Sequence, residues 1–226
     1  MAHTDTTHVV AVCGSLAAES VTRVALREAL SAARSTGAET TLVDLREYDL
    51  PTFDADDKDA GDAPQLRAHL RQADAVLLGS PMYHGSFSSP LKTALDYSGF
   101  DEFEDATVGL VAVSGGSFPR PAFEQLRSVT RALDAWTLPT DVGIPDSHEQ
   151  VVDGSLTDES LRQRLHRLGT DLVRYAGLAV PGRRRDDRDP RGDGRRGDRT
   201  PVCLGVRTRG WRGVGSRSGD PRRSGH

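Results

Sequence analysis

Four short apolar runs, separated by segments of helical periodicity, constrain the fold of this chain most strongly. Three of the four are almost continuously apolar, which is typical of strands covered on both faces of a parallel sheet. A shorter fifth strand is predicted at Ala135–Leu138, before Pro139. The strands predicted from the four runs are His8–Cys13, Thr40–Asp44, Asp74–Gly79 and Thr107–Val113.

The spacing of apolar residues between and after these strands predicts helices. Three of the helices open near a proline, which suits a first helical turn. The predicted helices are Val21–Arg34, Pro64–Gln72, Pro90–Tyr97, Pro121–Ala135 and Thr157–Tyr175. This alternation predicts an α/β fold, an open parallel sheet with helices on both faces. Ligands of such sheets bind beyond the carboxyl ends of the strands, so the loops after the first, third and fourth strands form the candidate site.

Charge is distributed unevenly along the 226 residues, whose net charge is −4. Residues 1–180 carry 15 Lys and Arg against 27 Asp and Glu, whereas residues 181–226 carry 14 Arg against 6 Asp. The acidic part would repel a phosphate backbone, so nucleic acid is not expected as its partner. An acidic surface poor in lysine is typical of a halophilic protein and equally of an ordinary acidic enzyme, and both interpretations stay open.

The chain is predicted to hold one domain with an extension at each end. Residues 1–7 are expected to be a flexible N-terminus, residues 8–178 the α/β domain, and residues 179–226 a disordered Arg/Gly-rich tail. The tail has three interpretations: a basic arm for nucleic acid or an acidic partner, an inert extension, or the product of an out-of-frame reading.

No membrane-length apolar stretch and no secretion signal is recognisable, so no membrane partner and a cytoplasmic location are expected. Cys13 and Cys203 have no spacing that suggests a metal site.

The loop after the first strand, Gly14–Arg23, is a candidate phosphate cradle because it leads into a helix. A helix N-terminus presents free N–H groups and a positive dipole end to an anion. Hydroxyls of Ser15, Ser20 and Thr22 and the guanidinium of Arg23 would add donors, and the alternative is an ordinary helix cap at Ser20. The loop lacks both the dinucleotide fingerprint and the Gly-Lys-Ser/Thr signature, which leaves a mononucleotide phosphate.

Two further loops follow the third and fourth strands at the same predicted edge. The segment Gly79–Pro90 is rich in turn residues and contains Tyr83 and His84, which suit contacts to a flat ring. The alternatives are that Tyr83 packs in the core and that His84 is a solvated loop residue. The segment Val113–Pro119 carries two adjacent glycines that permit a close approach of backbone to ligand, although by itself it is typical of an ordinary strand-to-helix turn.

Residues from Val9 to about Tyr175 resemble the NADPH-dependent FMN reductases, which are related to NAD(P)H quinone, azo and chromate reductases. The resemblance implies a flavodoxin-like three-layer α/β/α sandwich with a five-stranded parallel sheet in the order 2-1-3-4-5. It also implies FMN as cofactor, NADPH or NADH as co-substrate, and a homodimer or dimer of dimers. The segments that carry it are Gly14–Leu16 with Ser20 and Arg23, Gly79–Ser86, Pro90–Tyr97 and Ser114–Gly116.

The resemblance also assigns residues to the cofactor. Ser15, Ser20 and Thr22 would hold the FMN phosphate, with Arg23 as a further contact because Ala17 stands where the family often has Arg. No catalytic side chain is assigned, since N5 of the flavin carries the hydride chemistry. The isoalloxazine and ribityl portion would be held by Pro81, Met82, Tyr83, His84, Gly85 and Ser86, and the far end of the ring would be flanked by Ser114 and Gly115.

The implied function is an NAD(P)H-dependent flavin oxidoreductase that passes electrons to flavin, quinone or another small-molecule acceptor. The alternative is a flavodoxin-type single-electron carrier without NAD(P)H turnover, and a flavin-free signalling or scaffold protein of the same fold is a third hypothesis. Outside the site, Lys92 and Asp96 are predicted to pair on one helix face. A solvated acidic loop is predicted for Asp101, Glu102, Glu104 and Asp105.

Overall fold

The fold is centred on a parallel sheet, in a computed structural model that describes residues 6–176. Its long strands lie in the order β2-β1-β3-β5-β6, which is the predicted order 2-1-3-4-5 once the short strands are set aside. A short strand, β4, pairs antiparallel with β3, and β7 and β8 form a separate hairpin. The strands are β1 His8–Cys13, β2 Glu39–Asp44, β3 Ala75–Tyr83, β4 Ser86–Phe87, β5 Thr107–Val113, β6 Trp136–Ile144, β7 Val151–Val152 and β8 Ser155–Leu156.

Helices cover both faces of the sheet, as predicted. The helices are α1 Val21–Ser35, α2 Ala63–Arg71, α3 Ser89–Asp96, α4 Phe100–Phe103, α5 Arg120–Ala132 and α6 Glu159–Tyr175. Successive residues of β1 alternate between the two faces, so Val9 and Ala11 pack with α1 and α6 while Val10 and Val12 pack with α2–α5. The three-layer α/β/α architecture and the flavodoxin-like fold class are therefore confirmed.

Two strands extend beyond their predicted ends. Strand β3 continues from Gly79 to Tyr83, and β6 runs from Trp136 to Ile144 rather than stopping at Leu138. Pro139 does not end β6 because the pairing with β5 shifts register there, between Val108 and Leu110. A proline is tolerated at such an irregularity in an edge strand, where its missing N–H removes no regular ladder bond.

The acidic segment after α3 is not entirely solvated, so that prediction is wrong for Glu102. This side chain is 2% exposed. Its Oε2 accepts a hydrogen bond from the Gly99 N–H at 2.7 Å, and its Oε1 lies 2.8 Å from Nη2 of Arg71. The predicted pair on α3 is confirmed, with Nζ of Lys92 2.5 Å from Oδ1 of Asp96.

Helix α6 packs directly against α1 through a glycine. A Cβ atom on Gly169 would lie 2.0 Å from the carbonyl oxygen of Ala29, a distance that no side chain can occupy. The two helices therefore touch backbone to backbone at this point. Leu165 and Leu168 of α6 and Leu26 of α1 belong to the same buried cluster, which presses α1 onto the sheet.

The predicted extensions fall largely beyond the described part of the chain. The tail assigned to residues 179–226 lies outside it, as do residues 1–5 of the predicted N-terminus. The carbonyl oxygen of Thr7 accepts a hydrogen bond of 2.9 Å from the Glu39 N–H. Between residues 6 and 176, no helix is both long enough and apolar enough to cross a membrane.

Candidate functional site

Three loops meet at the carboxyl edge of the sheet. Cys13 at the end of β1 is paired with Gly79 of β3, and Pro81 of β3 is paired with Val113 at the end of β5. The N–H of Gly14 donates to the carbonyl oxygen of Gly79 at 2.8 Å, which extends the pairing of β1 and β3 by one bond. The segments predicted to form one site are therefore neighbours in the structure.

A pair of buried serines joins the first loop to the second. The Ser88 hydroxyl donates to the carbonyl oxygen of Gly14 at 2.7 Å, and the Ser88 N–H donates to Oγ of Ser80 at 2.8 Å. A Cβ atom on Gly14 would lie 2.8 Å from both Cβ of Leu91 and Oγ of Ser88, so α3 can approach the loop only because this residue is glycine. Sequence reasoning did not single out Ser80 or Ser88.

The segment from Ser15 to Thr22, here called the phosphate loop, presents a run of free donors. Within residues 6–176, none of its backbone N–H groups donates to an acceptor of the chain. The hydroxyls of Ser15 and Thr22 likewise have no partner among the described residues, although both side chains are largely buried. The first turn of α1 holds no acidic residue. This donor set fits an anion at the helix N-terminus.

Ser20 caps α1, because its Oγ accepts a hydrogen bond of 3.1 Å from the N–H of Arg23. The alternative of a helix cap at Ser20 is therefore confirmed, and its predicted role toward a phosphate stays a prediction.

Arg23 lies on the inner side of the phosphate loop and is 6% exposed. Its Nε donates to Oδ2 of Asp44 at 2.5 Å, and its Nη1 and Nη2 donate to the carbonyl oxygens of Ala18 and Ala17 at 3.0 and 3.2 Å. The carboxylate of Asp44 raises the pKa of the Arg23 guanidinium above its ordinary value. Asp44 balances this positive charge, and the predicted direct contact of Arg23 with a phosphate stays a prediction.

The second segment is a tight β-hairpin rather than the loop predicted over Gly79–Pro90. Pro81 and Met82 belong to β3, and the turn is formed by His84 and Gly85 with φ of 51° and 77°. Two central residues with positive φ are typical of a type I′ turn, whose twist matches that of the flanking strands. Tyr83 is 58% exposed at the end of β3, so the alternative that it packs in the core is wrong.

Gln125 of α5 holds this hairpin in place. Its Nε2 donates to the carbonyl oxygen of Gly85 at 3.0 Å, and its Oε1 accepts from the Ser86 hydroxyl at 2.7 Å. The side chain thus bonds both sides of the turn that follows Tyr83. Gln125 lies 40 positions away from Gly85 in the chain, and no local pattern indicated the contact.

The third loop is shaped by its own serine. The hydroxyl of Ser114 donates to the carbonyl oxygen of Ser117 at 2.5 Å, and the Ser114 carbonyl accepts from the Ser147 N–H at 3.0 Å. A Cβ atom on Gly115 would lie 3.4 Å from Nε2 of His148, which belongs to a single 3₁₀ turn after β6. His148 is therefore a further residue at this edge that sequence reasoning missed.

One large apolar side chain is exposed on each of the three loops. Leu16 is 54%, Tyr83 58% and Phe118 45% exposed. A Cβ atom on Gly116 would meet no atom within 4 Å, so the backbone there faces open space. Exposed apolar groups beside free N–H donors suit a ligand that has both a flat apolar part and an anionic part.

Residues 7–149 match the family described as NADPH-dependent FMN reductase. The chain belongs to this family. Among the NADPH-dependent FMN reductase relatives is an FMN-dependent NADPH-azoreductase of Staphylococcus saprophyticus, 39% identical over 88 residues, which are 39% of this chain and 47% of that protein. A protein of the same description from Staphylococcus aureus strain USA300 is 34% identical over 113 residues, covering 49% of this chain and 60% of that protein. The alignments thus span only about half of these relatives.

The chain shares its fold with a flavoenzyme of known structure. A flavoenzyme NAD(P)H:acceptor oxidoreductase from Paracoccus denitrificans superposes with a TM-score of 0.63 and 21% identity, covering 76% of this chain and 98% of that one. In this member of the family, the three predicted segments come together at one edge of the sheet. Arg23 faces inward, and the hydroxyl of Ser114 bonds within its own loop. Ser80, Ser88, Gln125 and Asp44 support the site from behind.

No group of three or more His, Cys, Asp or Glu in the described range is arranged to hold a metal ion. Cys13 lies directly behind the phosphate loop and is fully buried. Burial raises the pKa of the Cys13 thiol, so this group stays protonated at neutral pH.

Proposed function

We propose that this chain is an NAD(P)H-dependent, FMN-containing reductase that passes electrons to flavin, quinone or another small acceptor. The observation that carries the proposal is that the free donors of the phosphate loop lie at the same edge as the exposed Tyr83 hairpin. The pairing of β1 with β3 and the Ser88–Gly14 bond hold the two elements together. Membership of the NADPH-dependent FMN reductase family and the azoreductase descriptions of the relatives support it.

The fit to FMN follows from the donor set. The N–H groups of the phosphate loop, with the hydroxyls of Ser15, Ser20 and Thr22, match the acceptors of a phosphate monoester. The hairpin residues Pro81 to Ser86 would lie against the ring and ribityl chain, and Ser114 and Gly115 against the far end of the ring. The open space at Gly116 would allow close approach at that end.

When bound, FMN supplies the hydride-accepting and electron-donating chemistry that amino-acid side chains lack. The chain's own residues bind and orient it. The helix N-terminus and hydroxyls hold the anionic end, and the rigid type I′ turn presents Tyr83 as an apolar surface. Hydride transfer to the flavin requires no acid–base pair from the protein. For this reason the sequence-based prediction assigns no catalytic side chain.

The proposal extends to co-substrate, assembly and location. We infer NADPH or NADH as electron donor, a homodimer or dimer of dimers, and a cytoplasmic enzyme, as the resemblance implies. The excess of acidic residues and the presence of only Lys58 and Lys92 in residues 1–180 support a halophilic protein. Sedimentation analysis tests the oligomeric state. Thermal unfolding at low and at molar salt concentration tests the adaptation to salt, and a halophilic protein is expected to be more stable at the higher concentration.

The experiment is a visible spectrum of the purified, FMN-loaded protein followed by anaerobic titration with NADPH. Retained flavin bands that bleach with NADPH and recover on adding a quinone, an azo dye or free FMN support the reductase. Retained flavin that NADPH does not reduce favours the single-electron carrier. A colourless protein that takes up no FMN contradicts both and favours the flavin-free alternative.

A further inference from the structure

The buried ion pair between Arg23 and Asp44 bears directly on the backbone of the phosphate loop. Besides its bonds to Asp44, the guanidinium donates to the carbonyl oxygens of Ala17 and Ala18. Both ion-pair partners are more than nine-tenths buried. The arrangement joins the carboxyl end of β2 to the centre of the loop.

We propose that the Arg23–Asp44 pair is a clamp that positions the phosphate loop, so that Arg23 acts on the FMN phosphate through the backbone. The inference rests on the proposed function. In a trans peptide unit the C=O and the next N–H point in opposite directions. Because Arg23 holds the carbonyls of Ala17 and Ala18 inward, the N–H groups of Ala18 and Glu19 are turned outward.

Asp44 has two functions in this arrangement. It balances the charge of Arg23, so little net positive charge is directed at the ligand. It also fixes the guanidinium in the orientation from which Nη1 and Nη2 reach the two carbonyls. A planar fork with several fixed donors can do this, whereas a lysine ammonium on a flexible stem cannot make the same set of bonds.

The clamp and a direct charge contact make opposite predictions for Asp44→Asn. If Arg23 attracted the phosphate through its charge, removal of the balancing carboxylate would tighten FMN binding. If the pair positions the loop, the same change loosens the guanidinium and weakens FMN binding. We expect the Kd for FMN to rise about tenfold, which corresponds to about 1.4 kcal/mol.

Arg23→Lys is the second variant, because it retains the charge and removes the fork. The clamp predicts a rise in the Kd for FMN of similar size, while the Kd for riboflavin, which lacks the phosphate, stays within about twofold of the wild type. The readout is quenching of flavin fluorescence on binding. The ratio of the two affinities separates loss of the phosphate site from general destabilisation.

The chain offers a matched control in α5 and β6. Arg127 donates to Asp141 and also to the carbonyl oxygens of Leu138 and Pro139, so it too is an Arg–Asp pair that holds two carbonyls. Arg127→Lys and Asp141→Asn should lower stability without changing the ratio of FMN to riboflavin affinity. Tighter FMN binding by Asp44→Asn, or an unchanged ratio in Arg23→Lys, overturns the clamp.

Inorganic phosphate separates failure of the clamp from failure of the proposed function. In wild-type protein, phosphate titration is expected to shift the amide NMR signals of Ala18 and Glu19, and Arg23→Lys should abolish these shifts. If the protein binds no flavin but shows this pattern, the reductase proposal falls and the clamp stands. If phosphate shifts the same amides equally in wild type and Arg23→Lys, the clamp is overturned whatever the flavin result.

Discussion

The hydroxyl of Ser88 donates a hydrogen bond of 2.7 Å to the carbonyl oxygen of Gly14, across 74 positions of the chain. The bond ties the end of β1 to the start of α3 and is buried. Because the Ser88 N–H also bonds Oγ of Ser80, one residue connects Gly14, which directly precedes the phosphate loop, to the strand that carries Tyr83. This contact adds to the backbone pairing of β1 with β3 in fixing the relative position of the two halves of the site.

Ser88→Ala is expected to destabilise the protein by about 1–3 kcal/mol, because the buried carbonyl of Gly14 loses its donor. It should also weaken the binding of both FMN and riboflavin, since one of the contacts that fix the two loops relative to each other is lost. Urea unfolding and flavin fluorescence measure the two effects. Ser98→Ala is the control, because Ser98 follows the end of α3 and its hydroxyl bonds the carbonyl of Ala94 in that helix, away from the two loops. Equal flavin affinities in the two variants would contradict the assigned role.

Gly116→Ala and Gly85→Ala are expected to differ in their effect on stability. At Gly116 a Cβ atom meets nothing within 4 Å, so the unfolding free energy should change by less than about 0.5 kcal/mol. The added methyl group would nevertheless stand where the ligand approaches, and flavin affinity should fall. Gly85 has φ of +77°, so alanine there should cost about 1–2 kcal/mol. Full flavin affinity in Gly116→Ala would place the ligand elsewhere.

Gln125→Ala should loosen the hairpin that presents Tyr83. Its two bonds to the turn are exposed to solvent, so we expect a loss of stability below about 1.5 kcal/mol and a several-fold weaker binding of flavin. Urea unfolding measures the loss of stability, and isothermal titration calorimetry with FMN measures the change in affinity. Gln163→Ala, in the exposed face of α6, is the matched control and should leave both unchanged. Identical FMN affinity in the two variants would show that Gln125 does not support the site.

Stability is expected to fall as the pH rises above about 8.5, the ordinary pKa of a cysteine thiol. Burial raises the pKa of Cys13 in the folded state, so the unfolded chain loses this proton first. The folded state then binds more protons than the unfolded state, and the unfolding free energy decreases with pH. Cys13→Ala should show a smaller decrease between pH 8 and about 9.5, measured by urea unfolding under reducing conditions. An unchanged slope would contradict the assignment to Cys13.

The sequence was sufficient to predict those strands whose apolar runs are buried on both faces of the sheet. Strands β1 and β5 begin and end at the predicted residues, because continuous burial produces a continuous apolar run. The prediction failed at β6, whose edge position and register shift allow Pro139 inside a strand. A local pattern cannot show which strand lies at an edge, since this depends on the order of the whole sheet.

The candidate site was likewise predictable only in part. Its loops were predictable, since the C-terminal ends of neighbouring parallel strands meet. Its supporting contacts were not predictable, because they join residues that are distant in sequence: Arg23 to Asp44 over 21 positions and Gln125 to Gly85 over 40. Whether a polar side chain faces a ligand or its own backbone is decided by such tertiary contacts. Arg23 illustrates this, since its sequence position suggested a ligand contact and its bonds lie within the protein.

The backbone contact at Gly169 makes α6 a remote determinant of the ligand site. Helix α1 bears the phosphate loop at one end and rests on α6 at Ala29, about two turns along from Val21. Any side chain at position 169 would push the two helices apart. Because α1 is rigid, its displacement would also move the phosphate loop at its N-terminal end. Substitutions that alter cofactor affinity can therefore be sought on the far side of this helix pair, where no residue touches the cofactor.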